Sequence, residues 1–143
     1  MTSTLETLLR VGARFSRQHQ FDPDQVRAFA TAAGDSNPLH HDAALAAASR
    51  YQGLIVSGTH TTALMLGLAA AHFSPHCPVV GVSFTVDFKK PVAADALVEL
   101  RWEIAAVSND GGAASRVELA GGVYSAQGEL YVAARGLISV LLR

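Results

Sequence analysis

Residues 57–73, the central element of the expected fold, read SGTHTTALMLGLAAAHF. This pattern predicts a helix that begins at Ser57 or Thr59 and is stopped by Ser74-Pro75. The helix has no clear polar face, and a helix that is apolar nearly all round is buried on all sides. At about 15 residues it is roughly 22 Å long. The rest of the chain is therefore expected to wrap around it.

The second half of the chain supplies strands for that purpose. The four predicted strands, recognised by alternating apolar and polar residues or by apolar runs, cover residues 80–88, 98–104, 117–124 and 130–142. Asn109-Asp110-Gly111-Gly112 and Gln127-Gly128 indicate hairpin turns. Because short connections demand antiparallel pairing, we expect an antiparallel meander packed on the buried helix.

The first half is expected to contribute a short strand within residues 11–21, followed by helices. Asp22 is the predicted N-cap of the first of these helices, Gln25 stands in the capping-box position, and Gly34 ends the helix. A short alanine-rich helix is predicted over residues 43–49. The fold class is therefore α+β, with one antiparallel sheet on a buried central helix.

Length and composition restrict the class of protein. The 143 residues, of which 50% are hydrophobic and 16% charged, predict one domain over residues 1–143 and exclude a disordered chain. So few charges favour a subunit interface. With a net charge of -1 and 11 scattered Lys and Arg residues, no nucleic-acid partner is expected.

The expected location is cytoplasmic, with no membrane contact. Residues 1–6 lack the features of a signal peptide, and no apolar stretch approaches the roughly 20 residues that span a bilayer. The single cysteine, Cys77, allows neither an internal disulfide nor a cysteine metal cluster. His72 and His76 have metal-like spacing, but Pro75 lies between them, so no metal site is predicted.

The loop over residues 34–40, GDSNPLH, carries the residues best suited to chemistry. An ionised Asp35 accepts a proton, and His40 accepts or donates one near neutral pH, so together they can hold one water and move its protons. Asn37 can fix the loop through an Asx turn, and His41 is expected to point into solvent. On these residues alone, ordinary turn chemistry is the simpler explanation.

Residues 29–40, FATAAGDSNPLH, resemble the hydratase motif of the MaoC-like family, which contains the (R)-specific enoyl-CoA hydratases. Residues 53–58, GLIVSG, and 88–92, FKKPV, are similar to two further family segments, so the resemblance covers about residues 11–142. It implies a hot-dog fold, with the antiparallel sheet wrapped around the central helix. It also implies reversible addition of water to a 2-enoyl thioester.

By position in the motif, Asp35 and His40 are the implied catalytic pair. Both hold the water, Asp35 is the base, and His40 helps to deliver a proton to the α-carbon. Hydration builds negative charge on the thioester oxygen, which needs a fixed donor. The backbone N–H of Gly58, at the N-terminus of the buried helix, is the predicted donor because glycine permits close approach of a ligand. No metal or organic cofactor is implied, and coenzyme A enters only as part of the substrate.

The predicted substrate-binding residues are Asn37, Ser57, Thr59, His60, Lys89 and Lys90. Many family members read His-Gly-Met where this chain reads Ser57-Gly58-Thr59, so the identity of the acyl group is left open. Ser57 is equally well explained as a helix N-cap. His60 is more simply a buried, hydrogen-bonded histidine.

The two lysines belong to a different part of the predicted binding site. Lys89 and Lys90 end a strand, where they can meet the phosphates of coenzyme A or form a solvated strand end. The expected substrate is an acyl-CoA or acyl-carrier-protein thioester. The expected protein partner is a second copy of the chain, in a homodimer or higher homo-oligomer, since pairing two sheets edge to edge hides an exposed edge.

Two other functions stay open at this point. A hot-dog acyl-CoA thioesterase would use a carboxylate near the central helix, and the chain has no Asp or Glu between Tyr51 and Val86. A non-catalytic hot-dog subunit would not need Asp35 and His40 together.

Overall fold

The computed structural model describes residues 4–109 and 112–141. In chain order its elements are α1 (Thr4–Leu8), β1 (Arg14–Gln20), α2 (Pro23–Ala32), a single 3-10 turn (Pro38–His40), α3 (Ala43–Ala48), α4 (Gly58–Phe73), β2 (Val79–Phe88), β3 (Leu97–Asn109), β4 (Ala114–Ser125) and β5 (Leu130–Leu141). The predicted α+β class is confirmed, and each predicted helix and strand is present.

The five strands form one antiparallel sheet in the order β1-β3-β4-β5-β2. Strands β3, β4 and β5 make the expected meander, but the expectation that β2 lies beside β3 is wrong, because β2 pairs with β5. The connection between β2 and β3 is too long for a tight turn and contains Pro91. It crosses the end of the fold instead, where Val56 N–H donates to Val92 O at 2.8 Å. Strand β1 occupies the place beside β3.

Helix α4 lies on the inner face of this sheet. The Trp102 indole N–H on β3 donates to the Met65 carbonyl oxygen at 2.8 Å, and both side chains are fully buried. The prediction that α4 is buried on all sides is wrong for one face, where Ala63, Gly67 and Ala70 are exposed. These residues are too small to have signalled an exposed face in the hydrophobic pattern.

The ends of the elements follow the local sequence with one exception. The Asp22 carboxylate accepts from Gln25 N–H at 2.9 Å, as an N-cap does. The reciprocal half of the predicted capping box is absent, because Gln25 Oε1 pairs with the His19 ring at 2.9 Å. Gly34, with φ +74°, ends the turn that follows α2.

The two predicted hairpin turns are described to different extents. Asp110 and Gly111 of the first turn lie outside the described residues, although the flanking strands pair antiparallel as expected. In the second turn Gly128 has φ +88°, and the Ser125 hydroxyl accepts from the N–H groups of Gln127 and Glu129. None of the helices described here is both long and apolar enough to cross a membrane.

The sheet is tightest where β4 passes between its two neighbours. A Cβ built on Gly121 would lie 1.9 Å from the Arg101 carbonyl oxygen on β3, and one on Gly122 would lie 2.2 Å from the Val132 carbonyl oxygen on β5. No side chain fits such a gap. The pair Gly121-Gly122 therefore allows the strands to approach closely over α4.

Candidate active site

The loop that follows α2 is held in shape by its own polar groups. Asp35 N–H donates to Ala30 O at 2.8 Å, and the Asp35 carboxylate accepts from Asn37 N–H at 3.0 Å. Asn37 Oδ1 accepts from Leu39 N–H at 3.1 Å, which is the Asx turn expected of this residue. The loop therefore presents the second oxygen of the Asp35 carboxylate in a fixed direction. Contact of Asn37 with a substrate stays a prediction.

Asp35 and His40 face each other, with His40 Nε2 3.5 Å from Asp35 Oδ2. The other ring nitrogen of His40 lies 2.8 Å from the Ile55 carbonyl oxygen. A carbonyl only accepts, so Nδ1 carries a proton and donates it there, which leaves Nε2 as the atom that exchanges protons. His40 is only 6% exposed, whereas the Asp35 side chain is partly open to solvent. The pair is therefore accessible from the carboxylate side.

His41 stabilises the same loop through a hydrogen bond to its backbone, and the expectation that this residue points into solvent is wrong. Its ring is half-buried, and Nε2 donates to the Asp35 carbonyl oxygen at 2.6 Å. Arg27 Nε on α2 donates in turn to the His41 carbonyl oxygen at 3.2 Å. The sequence has no local signal for this contact, since it depends on how the loop folds back on α2.

The start of α4 is the second component of the site. Ser57 is the N-cap, and its buried hydroxyl accepts from His60 N–H at 3.2 Å. The N–H groups of Gly58 and Thr59 have no acceptor within the described part of the chain, as is usual for the first helical residues. Ile55, whose carbonyl binds His40, stands just before this helix start. One short segment thus links the Asp35–His40 pair to two free donors at the positive end of a helix.

His60 is buried in the first turn of α4, with 3% of its surface exposed. Its ring stacks on Phe29 of α2, with centroids 4.2 Å apart, and meets Phe21 edge-on at 5.2 Å. The expectation that His60 is hydrogen-bonded is wrong for Nδ1, which has no partner among the described residues. Burial, with a smaller contribution from His19, lowers the pKa of His60 to about 4. The ring is therefore neutral at pH 7 and joins α4 to the helix that precedes the loop carrying Asp35 and His40.

We expect the protein to lose stability as the pH falls from 6.5 to about 4, because the unfolded chain then binds a proton at His60 that the folded protein excludes. His60→Phe keeps a ring against Phe29 and cannot titrate. Over the same pH range, His60→Phe should lose less unfolding free energy than the wild-type protein, by up to about 3 kcal/mol. Urea unfolding at about pH 7 and about pH 4 measures both losses. Equal losses in the two proteins would contradict the buried, neutral state of His60.

Lys89 and Lys90 lie at the exposed end of β2, and they differ in their ionic partners. Lys90 Nζ is 3.2 Å from Glu129 Oε1, so this lysine already has an anionic partner. Lys89 has no ion pair within residues 4–109 and 112–141. Binding of phosphates by either lysine stays a prediction.

Two residues of this region make contacts that the sequence did not predict. One is His41, and the other is Phe88, whose ring lies against the start of α4. A shallow depression of about 340 Å³ reaches Asp35 and is lined also by Thr31, Gly34, Ser36 and His41. A larger cavity of about 630 Å³ lies on the sheet and shares none of these residues.

A five-stranded antiparallel sheet around one helix defines a hot-dog protein, and its Asp–His pair is linked through the Ile55 carbonyl to the segment that leads into the free N–H groups of that helix. The chain belongs to the MaoC-like family: the family model described as the MaoC like domain matches residues 7–124. The predictions of this family, of the hot-dog fold and of an enzyme of the hydratase and dehydratase class are confirmed.

Named relatives agree with this assignment. The chain is 31% identical over 127 residues to the (R)-specific enoyl-CoA hydratase of Aeromonas caviae, an alignment that covers 87% of this chain and 94% of the relative. It is 30% identical over 87 residues to the mitochondrial 3-hydroxyacyl-[acyl-carrier-protein] dehydratase of Arabidopsis thaliana, covering 61% of this chain and 51% of that protein.

Solved structures show the same fold. The (R)-hydratase from Aeromonas caviae superposes with a TM-score of 0.82 at 27% identity, covering 94% of this chain and 98% of that one. The unliganded R-hydratase from Pseudomonas aeruginosa superposes with a TM-score of 0.81 at 25% identity, covering 94% of this chain and 84% of that one.

Proposed function

We propose that the protein reversibly adds water to a 2-enoyl thioester, converting an enoyl-CoA to an (R)-3-hydroxyacyl-CoA. The observation that carries this proposal is the pair formed by Asp35 Oδ2 and His40 Nε2, which lie 3.5 Å apart and are tied through the Ile55 carbonyl to the segment that leads into the free N–H groups of α4. The similarity to an (R)-specific hydratase supports the reaction and its stereochemistry. An acyl-carrier-protein thioester is the second substrate form to test, since another relative is named for it.

The proposed hydration begins with a water bound by both Asp35 and His40. Asp35 Oδ2 takes a proton from this water while the oxygen forms a bond to the β-carbon, and the electron pair of the double bond moves toward the thioester oxygen. Protonated His40 Nε2 gives its proton to the α-carbon, which completes the 3-hydroxyacyl thioester. The proton on Asp35 then returns to His40 Nε2 across the short gap between them. Protons balance, and the site returns to its starting state.

The role proposed for Gly58 is stabilisation of the enolate oxygen. Negative charge builds on the thioester oxygen in the transition state, and a donor that is already in place costs no reorganisation at that moment. The N–H of Gly58 is free and lies at the positive end of α4. Ser57 and His60 shape this helix start, since the Ser57 hydroxyl is committed to the His60 N–H. Thr59 is exposed and contributes the second free N–H.

The reaction is tested by adding purified protein to crotonyl-CoA and following the absorbance of the conjugated enoyl thioester. We expect this absorbance to fall without release of free thiol, and the product to be the (R)-3-hydroxy form. Release of free thiol would instead support the thioesterase alternative. A third outcome is an absorbance that stays constant with crotonyl-CoA and with longer or branched enoyl-CoA and acyl-carrier-protein thioesters. That result would favour the alternative of a non-catalytic subunit.

We further propose that two copies of the chain pair through β2. The two edge strands of the sheet differ in charge: β1 carries Arg14 and Arg17 and two glutamines, whereas β2 has one charged residue, Asp87. Charges protect an edge strand from pairing with another chain, and β2 lacks this protection. Val80 and Val82 on β2 are 61% and 45% exposed. A second copy of β2, running antiparallel, would cover them.

The double substitution of Val80 and Val82 by Lys should convert this dimer to a monomer, because like charges would face each other across the paired edges. Size-exclusion chromatography with light scattering measures the mass. Val11→Lys is a matched control, since Val11 is 58% exposed but outside the sheet, and it should leave the mass unchanged. A wild-type monomer, or a double variant that stays dimeric, would refute pairing through this edge.

A further inference from the structure

Phe88 is the last residue of β2, and its ring lies against the first turn of α4. A Cβ built on Gly58 would lie 2.7 Å from Phe88 Cζ and 2.8 Å from Cε1, so the ring is in contact with the Gly58 main chain. The ring is nonetheless 59% exposed. One face of Phe88 therefore covers the helix start, and in the single chain the rest of the ring is open to a ligand or to the second copy proposed to pair through β2.

The strand end that carries this ring is fixed by the backbone that follows it. The N–H groups of Lys89 and Lys90 both donate to the Tyr131 carbonyl oxygen, at 2.9 and 3.0 Å. Phe88 itself pairs with Val132 on β5. The ring is thus carried by a strand end that is tied to the sheet on both sides of the residue, and it does not depend on a mobile loop.

We propose that Phe88 is a positioning residue for the oxyanion donor at Gly58. Its ring excludes water from one side of the Gly58 N–H and sets the side from which the thioester oxygen approaches; this role rests on the hydratase function proposed above. A hydrogen bond to a developing charge is stronger where water is excluded. The contact also explains why residue 58 is glycine, since any side chain there would meet the ring before it met a ligand.

The effect of Gly58→Ala follows from the same contact. Alanine retains the backbone N–H, so the donor is kept. Its Cβ would push against the far end of the Phe88 ring, which is exposed and free to turn away. We therefore expect Gly58→Ala to fold and to behave in catalysis like a protein from which the Phe88 ring has been removed.

The test compares kcat and KM for crotonyl-CoA in Phe88→Ala, Phe88→Leu, Gly58→Ala and the double variant Gly58→Ala/Phe88→Ala. Phe88→Ala should lower kcat by about tenfold, less than the loss of a whole oxyanion donor, with a smaller change in KM. Gly58→Ala should lower kcat similarly, and the double variant should be no worse than Gly58→Ala. Phe88→Leu, which keeps an apolar group in place, should recover most of the activity.

Phe84 provides a matched control on the same strand. Its ring rests on Gly136 of β5 in the same way, at 2.5 Å from a Cβ built there, but outside the site. Phe84→Ala should lower the melting temperature and leave kcat unchanged. A wild-type kcat in Phe88→Ala, a change in KM alone, or losses that add in the double variant would overturn the positioning role. An inactive wild-type protein would overturn the hydratase function, and the positioning role with it.

Discussion

Asp35→Asn is expected to lower kcat for enoyl-thioester hydration by about a thousandfold, within the range that a general base contributes. The carboxylate oxygen that faces His40 would become an amide group that cannot take a proton from water. The fold should not change, because Asn retains an Oδ1 that accepts from Asn37 N–H, as Asp35 does at 3.0 Å. The loss is measured from the enoyl-thioester absorbance, with the melting temperature as a check on folding.

Asp42→Asn is the matched control for this experiment. Asp42 is the N-cap of α3 and accepts from Leu45 N–H at 3.0 Å, a role that Asn fills equally well. The same chemical change a few residues from the site should therefore leave kcat unaltered. If Asp35→Asn and Asp42→Asn were equally active, Asp35 would not be the base.

Gly121→Ala has the largest effect on stability that we expect, a loss of about 3 kcal/mol or more in the free energy of unfolding. A methyl group at this position would lie 1.9 Å from the Arg101 carbonyl oxygen, which belongs to the backbone of β3 and cannot move without breaking the sheet. The strand partner of Gly121 is Trp102, which is fully buried against α4, so a shift of β3 would also disturb the core. Urea unfolding, or the yield of soluble protein, measures the loss.

Gly53→Ala serves as the comparison for this glycine. A Cβ on Gly53 meets no atom within 4 Å, so the substitution should change the free energy of unfolding by no more than about 0.5 kcal/mol. Similar stability of the two variants would show that β3 and β4 have room for a side chain at Gly121.

Local signals in the sequence predicted the parts of the structure that depend on near neighbours. Asp22 and Ser57 are N-caps because a side-chain oxygen reaches an N–H three residues ahead, and sequence spacing alone shows this. The turn at Asn37 is local for the same reason. The helix over Gly58–Phe73 followed from composition, since a run so rich in apolar residues has to be covered.

Contacts between distant segments could not be predicted in the same way. Gln25 binds His19 and not its own helix start, and His41 turns back to the Asp35 carbonyl. The pairing of β2 with β5 and the contact of the Phe88 ring with Gly58 both join segments that are far apart along the chain. Spacing along the chain carries no information about such contacts, because they are set by the packing of the whole sheet on α4.

The hydrogen bond from His40 Nδ1 to the Ile55 carbonyl oxygen determines which copy of the chain supplies the groups of each site. It ties the Asp35–His40 pair to the segment that leads directly into Gly58, so all three groups belong to one copy of the chain. Two inactive variants altered at Asp35 and at His40 should therefore not restore activity when they are co-expressed. A mixed assembly of one intact and one Asp35→Asn subunit should work at half capacity, because each subunit carries its own complete set of these groups.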